Sequence, residues 1–171
     1  MNDINIPTER ERHTASECAP RTALFAGSFD PFTTGHQSIV DRGLKIFDSI
    51  VIGIGVNAQK RGWQPVAERR AAIERLYGHD SRVSVMEFDC LTTEAAKKCG
   101  AEFLLRGVRS VADFEYERTL ADINRNLSGI ETVLIYALPS LASVSSSVVR
   151  ELASYGADIS AYLPVPASGK Q

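Results

Sequence analysis

Residues 22–47 read TALFAGSFDPFTTGHQSIVDRGLKIF, and this stretch contains one complete strand–loop–helix unit. The short apolar run Thr22–Ala26 is typical of a buried strand. Further along, apolar residues recur at steps of three and four, which predicts a helix with one buried face. Those residues are Ile39, Val40, Gly43, Leu44 and Phe47. The loop Gly27–His36 therefore joins the end of a strand to the start of a helix.

The same alternation of strand-like and helix-like segments continues along the chain. Such alternation is typical of βαβ units, in which a parallel sheet carries helices on both faces. We therefore predict an α/β fold: a single Rossmann-like, doubly wound domain with a five-stranded parallel sheet. The further predicted strands are Ser49–Val56, Val83–Phe88, Phe103–Leu105 and Thr132–Ala137. The further predicted helices are Val66–Tyr77, Thr92–Lys98, Asp113–Leu127 and Ser146–Ser154.

Composition places the chain among globular proteins, since 44% of its 171 residues are apolar and 23% are charged. A net charge of -2 argues against a nucleic-acid binder with an overall basic surface. Apolar runs are too short to cross a bilayer, and the first 20 residues lack the apolar core of a secretory signal. Cys18, Cys90 and Cys99 lack a metal-binding spacing and are interpreted as reduced thiols. We expect a cytoplasmic protein without membrane or nucleic-acid partners.

The chain divides into three parts by composition. Residues 1–20 are polar and without periodicity, so they are expected to form a flexible extension. The folded domain is expected to span residues 21–163. Residues 164–171 contain two prolines and a glycine, and a loosely ordered tail is expected there.

The loop between the first strand and the first helix has features that suit phosphate binding. Gly27 permits a sharp turn at the strand end, and Pro31 fixes its own φ and stiffens the loop. Gly35 allows close approach to the first helical amides, where unpaired N–H groups and the helix dipole favour phosphate. His36 could donate a hydrogen bond there and stabilise a transition state. Taken alone, a histidine in a first helical turn is more often an exposed polar residue.

Two familiar phosphate-loop patterns do not account for nucleotide binding in this chain. The loop lacks the GK[ST] of a P-loop and the GxGxxG of a dinucleotide fold. The stretch Gly53–Ala58 matches GxGxxA formally, but its glycines lie inside an apolar strand and no helix follows. We interpret Gly53 and Gly55 as strand residues.

Polar residues near the fourth predicted strand form a second candidate site. Arg106 and Arg109 are expected to leave the strand end in a turn, where two guanidinium groups could grip separate phosphates. Gly107 between them would let backbone amides approach a nucleotide, and a solvated basic turn is the alternative. Glu117 and Asn124 are seven residues apart on one helix, about 10.5 Å along the same face. They either line a cleft or are ordinary surface residues.

These motifs resemble those of a known superfamily. The loop Gly27–His36 resembles the [ST]xGH signature of the nucleotidyltransferase superfamily. The run RGVRSVADFEYE at 106–117, followed by Asn124 and Arg125, closely resembles the phosphopantetheine adenylyltransferase family. Lys60 falls at the matching spacing, as does the Glu68-Arg69 pair. The resemblance covers about residues 21–163.

A serine block, Ser145–Ser147 followed by VVRE, resembles the last motif of the same family. Its hydroxyl groups and first-turn amides could bind phosphate, and helix capping is the alternative reading. The serine block is a weaker signal than the arginine-rich run.

The resemblance implies a role for each matching residue. It makes His36 the transition-state stabiliser and joins Lys60 and Arg109 to it as catalytic residues. The implied phosphopantetheine-binding residues are Ser28, Lys60, Thr92, Arg106 and Asn124. The implied ATP-binding residues are Ser28, Phe29, His36, Gly107, Val108, Arg109, Glu117, Leu141, Ala142, Ser143, Val144, Ser145, Ser146 and Ser147.

The activity implied by the resemblance is transfer of AMP from ATP to 4′-phosphopantetheine, which gives dephospho-coenzyme A and pyrophosphate. Mg²⁺ is expected to arrive with ATP, held by phosphate and water rather than by a protein metal site. A homo-oligomer, by resemblance a hexamer, is also implied. Two alternatives remain open at this point: another adenylyl- or cytidylyltransferase with a different phosphorylated acceptor, and a nucleotide-binding module without catalysis.

Overall fold

The structure is a computed structural model that describes residues 20–57, 59 and 61–166. Its strands are β1 (Thr22–Gly27), β2 (Ser49–Gly55), β3 (Val83–Phe88), β4 (Phe103–Val108) and β5 (Glu131–Tyr136). Its helices are α1 (Thr34–Gly43), α2 (Val66–Tyr77), α3 (Thr92–Lys98), α4 (Val111–Ser128) and α5 (Ser146–Ser154). Most of the predicted N-terminal extension, Lys60 and the end of the predicted tail lie outside the described residues.

The five strands form one parallel sheet in the order β3-β2-β1-β4-β5. This confirms the predicted five-stranded parallel sheet. The strand order reverses direction between β1 and β4, because the chain first builds outward to β3 and then returns to the other side of β1. In sheets of this kind ligands bind beyond the carboxyl ends of the strands at that reversal. The loop after β1 lies there.

Alternating residues of β1 pack on opposite faces of the sheet, as a period of two requires. Ala23 and Phe25 belong to a core that also contains residues of α1 and α2. Leu24 and Ala26 belong to a second core that contains Ala95 and other residues of α3. The central strand is therefore covered on both sides, and its apolar composition follows from that burial.

Strand β4 is three residues longer than predicted. Arg106, Gly107 and Val108 pair in register with the last three residues of β5, so they lie inside the sheet. The prediction that Arg106 and Gly107 lie in a turn is therefore wrong. A Cβ on Gly107 would lie 2.9 Å from Cγ1 of Ile39 on α1. The glycine at this position is required by helix–sheet packing rather than by a turn.

The glycines of the GxGxxA stretch lie in β2, which confirms the interpretation of Gly53 and Gly55 as strand residues. A Cβ on Gly53 would lie 2.8 Å from Cδ1 of Leu24 and 3.1 Å from the ring of Phe88. Gly53 therefore makes room for two apolar side chains, and it takes no part in a phosphate loop.

Helix α4 carries an apolar stripe at helical spacing, Tyr116, Leu120, Ile123 and Leu127, but most of this stripe does not face the core. Tyr116 is 63% exposed, Ile123 47% and Leu127 63%. In contrast, Glu117 on the same helix is buried. The helix thus turns a charged residue inward and an apolar stripe outward. Among the described residues, the helices are too short or too polar to cross a membrane.

Candidate active site

The loop after β1 has an unusual backbone at Phe29, whose φ is +47°. A left-handed conformation is uncommon for a bulky residue and costs of order 1–3 kcal/mol. The predicted turning residue, Gly27, is not among the described glycines with positive φ. A Cβ on Gly27 would lie 2.9 Å from the Phe29 ring, so this glycine makes space for the ring that lies over it. The Asp30–Pro31 peptide bond that follows is cis.

The side chain of Asp30 joins this loop to the segment before α2. Asp30 is buried, and its two carboxylate oxygens accept hydrogen bonds from the backbone N–H groups of Trp63 (2.7 Å) and Gln64 (2.9 Å). Hydrogen bonds from backbone N–H groups to a carboxylate are charge-assisted and correspondingly strong. The loop after β1 and the segment that leads into α2 are therefore fixed to each other.

Three arginine side chains donate hydrogen bonds to backbone carbonyl groups at alternate positions from the end of β1 into this loop. The pairs are Arg106 with the carbonyl of Ala26, Arg69 with that of Ser28, and Arg150 with that of Asp30. The arginines come from β4, α2 and α5, so three elements hold the same short segment. Of the three, only Arg106 was a predicted binding residue. Arg69 and Arg150 stood inside recognised motifs, but nothing in their local spacing indicates whether an arginine on a helix is buried.

His36 is held by the residue that caps its own helix. The backbone N–H of Thr33 donates to Nδ1 of His36 at 3.0 Å, while the Thr33 hydroxyl oxygen accepts from the His36 backbone N–H. A backbone N–H can only donate, so Nδ1 must be unprotonated. The proton of the neutral ring is therefore on Nε2. The rings of Phe29 and Phe32 lie 5.1 and 5.3 Å from the His36 ring, between centroids, and support it from the core side.

Burial, together with the positive charges of Arg109 and Arg106, lowers the pKa of His36 to about 4. Desolvation disfavours the charged imidazolium, and neighbouring cations disfavour it as well. At neutral pH the ring is therefore neutral. In this state His36 offers an N–H donor at Nε2 without adding a positive charge.

Arg106 and Glu117 form a part-buried ion pair beside the loop. Nε of Arg106 donates to one carboxylate oxygen of Glu117 at 2.8 Å, and Nη2 donates to the other at 2.7 Å. With its bond to Ala26, three of the five N–H groups of Arg106 are used, and two remain for a ligand. Arg109 instead pairs with Asp113, four residues later, at 2.9 Å, and this pair is more exposed.

A cleft of about 250 Å³ lies over these groups, at the reversal of strand order between β1 and β4. The N-terminal ends of α1 and α5 both contribute to its lining, through Gly35 and His36 and through Ser146. Helix N-termini offer unpaired N–H groups and positive dipole ends to an anion. The described lining includes Arg106 and Arg109 but no carboxylate. The lining of the cleft therefore favours a ligand with several negative charges.

Most of the predicted site residues are found in or beside this cleft. The predicted residues that line it are Ser28, Phe29, His36, Arg106, Gly107, Arg109, Leu141, Val144 and Ser146. Val108 is buried in β4, Glu117 lies behind Arg106, and Ser145 caps α5 through its side chain. Ser147 accepts a hydrogen bond from Arg150 at 3.2 Å. Thr92, Asn124, Ala142 and Ser143 are not among the lining residues, and Lys60 lies outside the described part of the chain.

No group of three or more His, Cys, Asp or Glu side chains that could hold a metal ion occurs among the described residues. Cys90 and Cys99 are free thiols packed against the second core. The described part of the chain thus offers cations, amides and hydroxyl groups to a ligand.

Sequence comparison relates the chain to known nucleotidyltransferases. The sequence model of the cytidylyltransferase-like family matches residues 24–152. The phosphopantetheine adenylyltransferase of Phocaeicola vulgatus is 51% identical over 144 residues, which cover 84% of this chain and 95% of the relative. The enzyme of the same name from Porphyromonas gingivalis is 51% identical over 142 residues, or 83% of this chain and 93% of the relative.

Comparison of structures finds the same fold in a more distant protein. A bifunctional NMN adenylyltransferase/ADP ribose pyrophosphatase from Francisella tularensis, in complex with AMP and a manganese ion, superposes with a TM-score of 0.62. The match covers 84% of this chain and 44% of that one at 12% sequence identity. At this identity the similarity concerns the fold alone.

Proposed function

The chain belongs to the cytidylyltransferase-like family and, within it, to the phosphopantetheine adenylyltransferases, and we propose that it transfers AMP from ATP to 4′-phosphopantetheine. The products are dephospho-coenzyme A and pyrophosphate. The observation that carries this proposal is the cleft at the strand reversal, where two arginines, a neutral histidine and two helix N-termini come together. Relatives that align over nearly their whole length supply the identity of the acceptor.

The reaction needs no nucleophile from the protein. An oxygen of the acceptor's phosphate attacks the α-phosphorus of ATP and forms a new P–O bond. The bond from the α-phosphorus to the bridging oxygen breaks on the opposite side, and pyrophosphate leaves with that electron pair. Catalysis of such a transfer consists of positioning and of neutralising charge. These are the functions that the lining residues are suited to perform.

We assign the phosphate of the acceptor to Arg106, with Lys60 as its partner by resemblance, and the phosphates of ATP to Arg109 and the α5 N-terminus. Arg106 has two N–H groups left after its bonds to Glu117 and Ala26. Ser28 lines the cleft, and by resemblance we place it between the two substrates, where its hydroxyl can donate to either. Thr92 and Asn124 are proposed to contact the pantetheine arm beyond this cleft.

His36 stabilises the transition state as a neutral donor. Its Nε2–H is available because Nδ1 accepts from Thr33, and its low pKa keeps the ring uncharged. A preorganised donor of this kind contributes most where negative charge develops on the transferring phosphate. A general base is not needed, since the acceptor phosphate is already ionised.

Mg²⁺ is proposed to enter as part of the MgATP substrate. In such a substrate the ion is held mainly by phosphate oxygens and water. Bound in this way, the ion would neutralise charge on the departing pyrophosphate.

A homo-oligomer is proposed because large apolar side chains lie exposed on α4 and at the end of β5. The exposed residues are Val111, Tyr116, Ile123, Leu127, Tyr136 and Leu138. Large apolar side chains that lie exposed together in a single chain are typical of an interface. By family resemblance the assembly is a hexamer. A cytoplasmic location is proposed from the ATP-dependent reaction and the free thiols of Cys90 and Cys99.

A pyrophosphate-release assay tests this function. The purified protein is incubated with MgATP and 4′-phosphopantetheine. In matched reactions CTP replaces ATP, or nicotinamide mononucleotide or a phosphorylated alcohol replaces 4′-phosphopantetheine. We expect release only with ATP and 4′-phosphopantetheine, together with dephospho-coenzyme A by mass spectrometry. Release with another pair would favour a different nucleotidyltransferase, and no release with any pair would favour a nucleotide-binding module.

A further inference from the structure

The loop between β1 and α1 is held from outside the cleft by two arginines, Arg69 of α2 and Arg150 of α5. Neither lines the cleft. Nη1 of Arg69 donates to the carbonyl of Ser28, and Nη1 of Arg150 donates to the carbonyl of Asp30. The residue between those two carbonyls is Phe29, which has the left-handed backbone.

A left-handed bulky residue persists only where its surroundings determine the conformation from several directions. Each neighbouring carbonyl of Phe29 receives a charged donor, and the ring of Phe29 is itself 2% exposed. A rotation of the backbone at position 29 would turn at least one of these carbonyls away from its donor. The two guanidinium groups therefore select one backbone conformation among those open to the loop.

In the described part of the chain, the bond to the Ser28 carbonyl is the one hydrogen bond found for the Arg69 side chain. Its side chain is buried with 6% of its surface exposed, and its Nε has no hydrogen-bond partner in the described part of the chain. Burial of a guanidinium group is costly, and a buried N–H without a partner adds to that cost. A buried guanidinium group therefore leaves the protein less stable than an apolar side chain at the same position would. A contribution to the geometry of the loop accounts for its presence.

The surroundings of Arg69 also include the segment that Asp30 holds. A Cβ on Gly62 would lie 3.2 Å from Oδ2 of Asp30 and 3.4 Å from Nη2 of Arg69, so Gly62 fits between the two charged groups. The next two residues donate to the Asp30 carboxylate. Arg69 and Asp30 therefore hold the loop and the segment before α2 as one unit.

We propose that Arg69 and Arg150 are positioning residues of the transfer reaction: they fix the carbonyls of Ser28 and Asp30 and thereby place Ser28 and His36 against the reacting phosphates. The inference rests on the proposed adenylyl transfer. Neither arginine contacts the substrates. Removal of either arginine is expected to misplace Ser28 and the start of α1. The charged side chains that line the cleft would remain. Misplacement of about 1 Å can reduce turnover by about 100-fold.

Arg69→Met and Arg150→Met test the proposal, with Arg70→Met as the matched control. Arg70 is the next residue on α2, but its ion pairs with Glu74 and Glu87 lie on the surface. Steady-state kinetics are measured at a temperature at which circular dichroism shows each variant folded. We expect kcat to fall by about 10–100-fold in both test variants, with both KM values within about threefold of the parent. Arg70→Met should match the parent protein.

A second measurement does not depend on activity. Backbone hydrogen exchange by mass spectrometry, in peptides that span residues 26–34, should become faster in both test variants and remain unchanged in Arg70→Met. The proposal is overturned if exchange in this region is unchanged, or if turnover falls only in proportion to the unfolded fraction. Should Arg69→Met not fold, Arg69→Lys and Arg150→Met are judged by the same criteria. If the parent protein itself releases no pyrophosphate, the proposed function fails while the exchange result still tests the loop.

Discussion

The backbone N–H of Thr33, the residue that caps α1, donates a 3.0 Å hydrogen bond to Nδ1 of His36 in the first turn of that helix. This bond determines the tautomer of the ring, because it occupies the one nitrogen lone pair that could otherwise accept a proton. It also orients the ring across the first turn of α1. The same contact thus caps the helix and leaves Nε2–H as an available donor.

Replacement of His36 tests the role of that donor. His36→Ala should lower kcat by about 10²–10³, the scale for loss of one transition-state donor. His36→Gln should retain more activity than His36→Asn, since a Gln amide reaches farther and can place its N–H nearer the position of Nε2. Steady-state kinetics with circular dichroism as a folding control measure this. Turnover close to that of the parent in His36→Ala would contradict the assigned role.

The low pKa of His36 predicts how stability depends on pH. Between pH 4 and 6.5 the unfolded state binds a proton at His36 that the folded state does not, so the free energy of unfolding rises with pH. The contribution is at most about 1.4 kcal/mol per pH unit. Urea denaturation at pH 7 and pH 5 should show a larger loss on acidification in the parent than in His36→Gln. Equal losses in the two proteins would show that folding does not lower the pKa of His36.

The ion pair between Arg106 and Glu117 predicts a selective effect on the acceptor. Glu117→Gln removes the charge that holds Arg106 in place, and its side chain can accept only one of the two hydrogen bonds. We expect KM for 4′-phosphopantetheine to rise by about tenfold or more, which corresponds to about 1.4 kcal/mol, with a smaller change for ATP. Separate titrations of the two substrates measure this. A change confined to ATP would support the role that resemblance gives Glu117 instead.

The packing of Gly107 against Ile39 predicts a steric effect that a second mutation relieves. Gly107→Ala brings a methyl group to 2.9 Å from Cγ1 of Ile39 and should destabilise the protein by about 1–3 kcal/mol. Ile39→Ala alone should cost about 2–5 kcal/mol, because it leaves a cavity. The double variant should lose less stability than the sum of the two. Denaturant unfolding of all four proteins completes the cycle, and additive losses would mean that the two residues do not interact.

The exposed stripe of α4 predicts that charge at its centre weakens self-association. Ile123→Lys with Leu127→Lys should shift the protein toward monomer in light scattering coupled to size-exclusion chromatography. A charged side chain buried in an interface without a partner is costly. Arg118→Glu, on an exposed position of the same helix, is the control. An assembly of unchanged size in the lysine variant would place the interface elsewhere.

The order of elements was predictable because it depends on local patterns. Apolar runs predicted all five strands of the described sheet, and helical spacing predicted the α-helices that pack on it. The predicted bounds of α2, β3, α3 and α5 agree with the structure. The end of β4 was not predictable in this way. Whether Arg106 and Gly107 continue a strand depends on their pairing with Leu134 and Ile135, which are distant in sequence.

The candidate site was predictable from the sequence to about the same extent as the fold. His36, Arg106 and Arg109 were identified by residue type and motif, and they share one cleft. Asp30, Arg69 and Arg150 were not assigned as site residues. Their importance comes from burial and from bonds to backbone groups of other elements, and neither is visible in local spacing.

Residue type and short-range spacing were sufficient to predict the α/β class and to select the loop after β1 and its histidine as site candidates, because each depends on a few neighbouring residues. The protonation state of His36, the partner of Arg106 and the conformation of Phe29 depend on groups brought together from β1, β4, α2 and α5. Burial, nearby charge and carbonyl orientation are properties of the folded arrangement. For that reason the candidate site residues could be identified from sequence motifs, while their protonation, partners and conformation follow from packing.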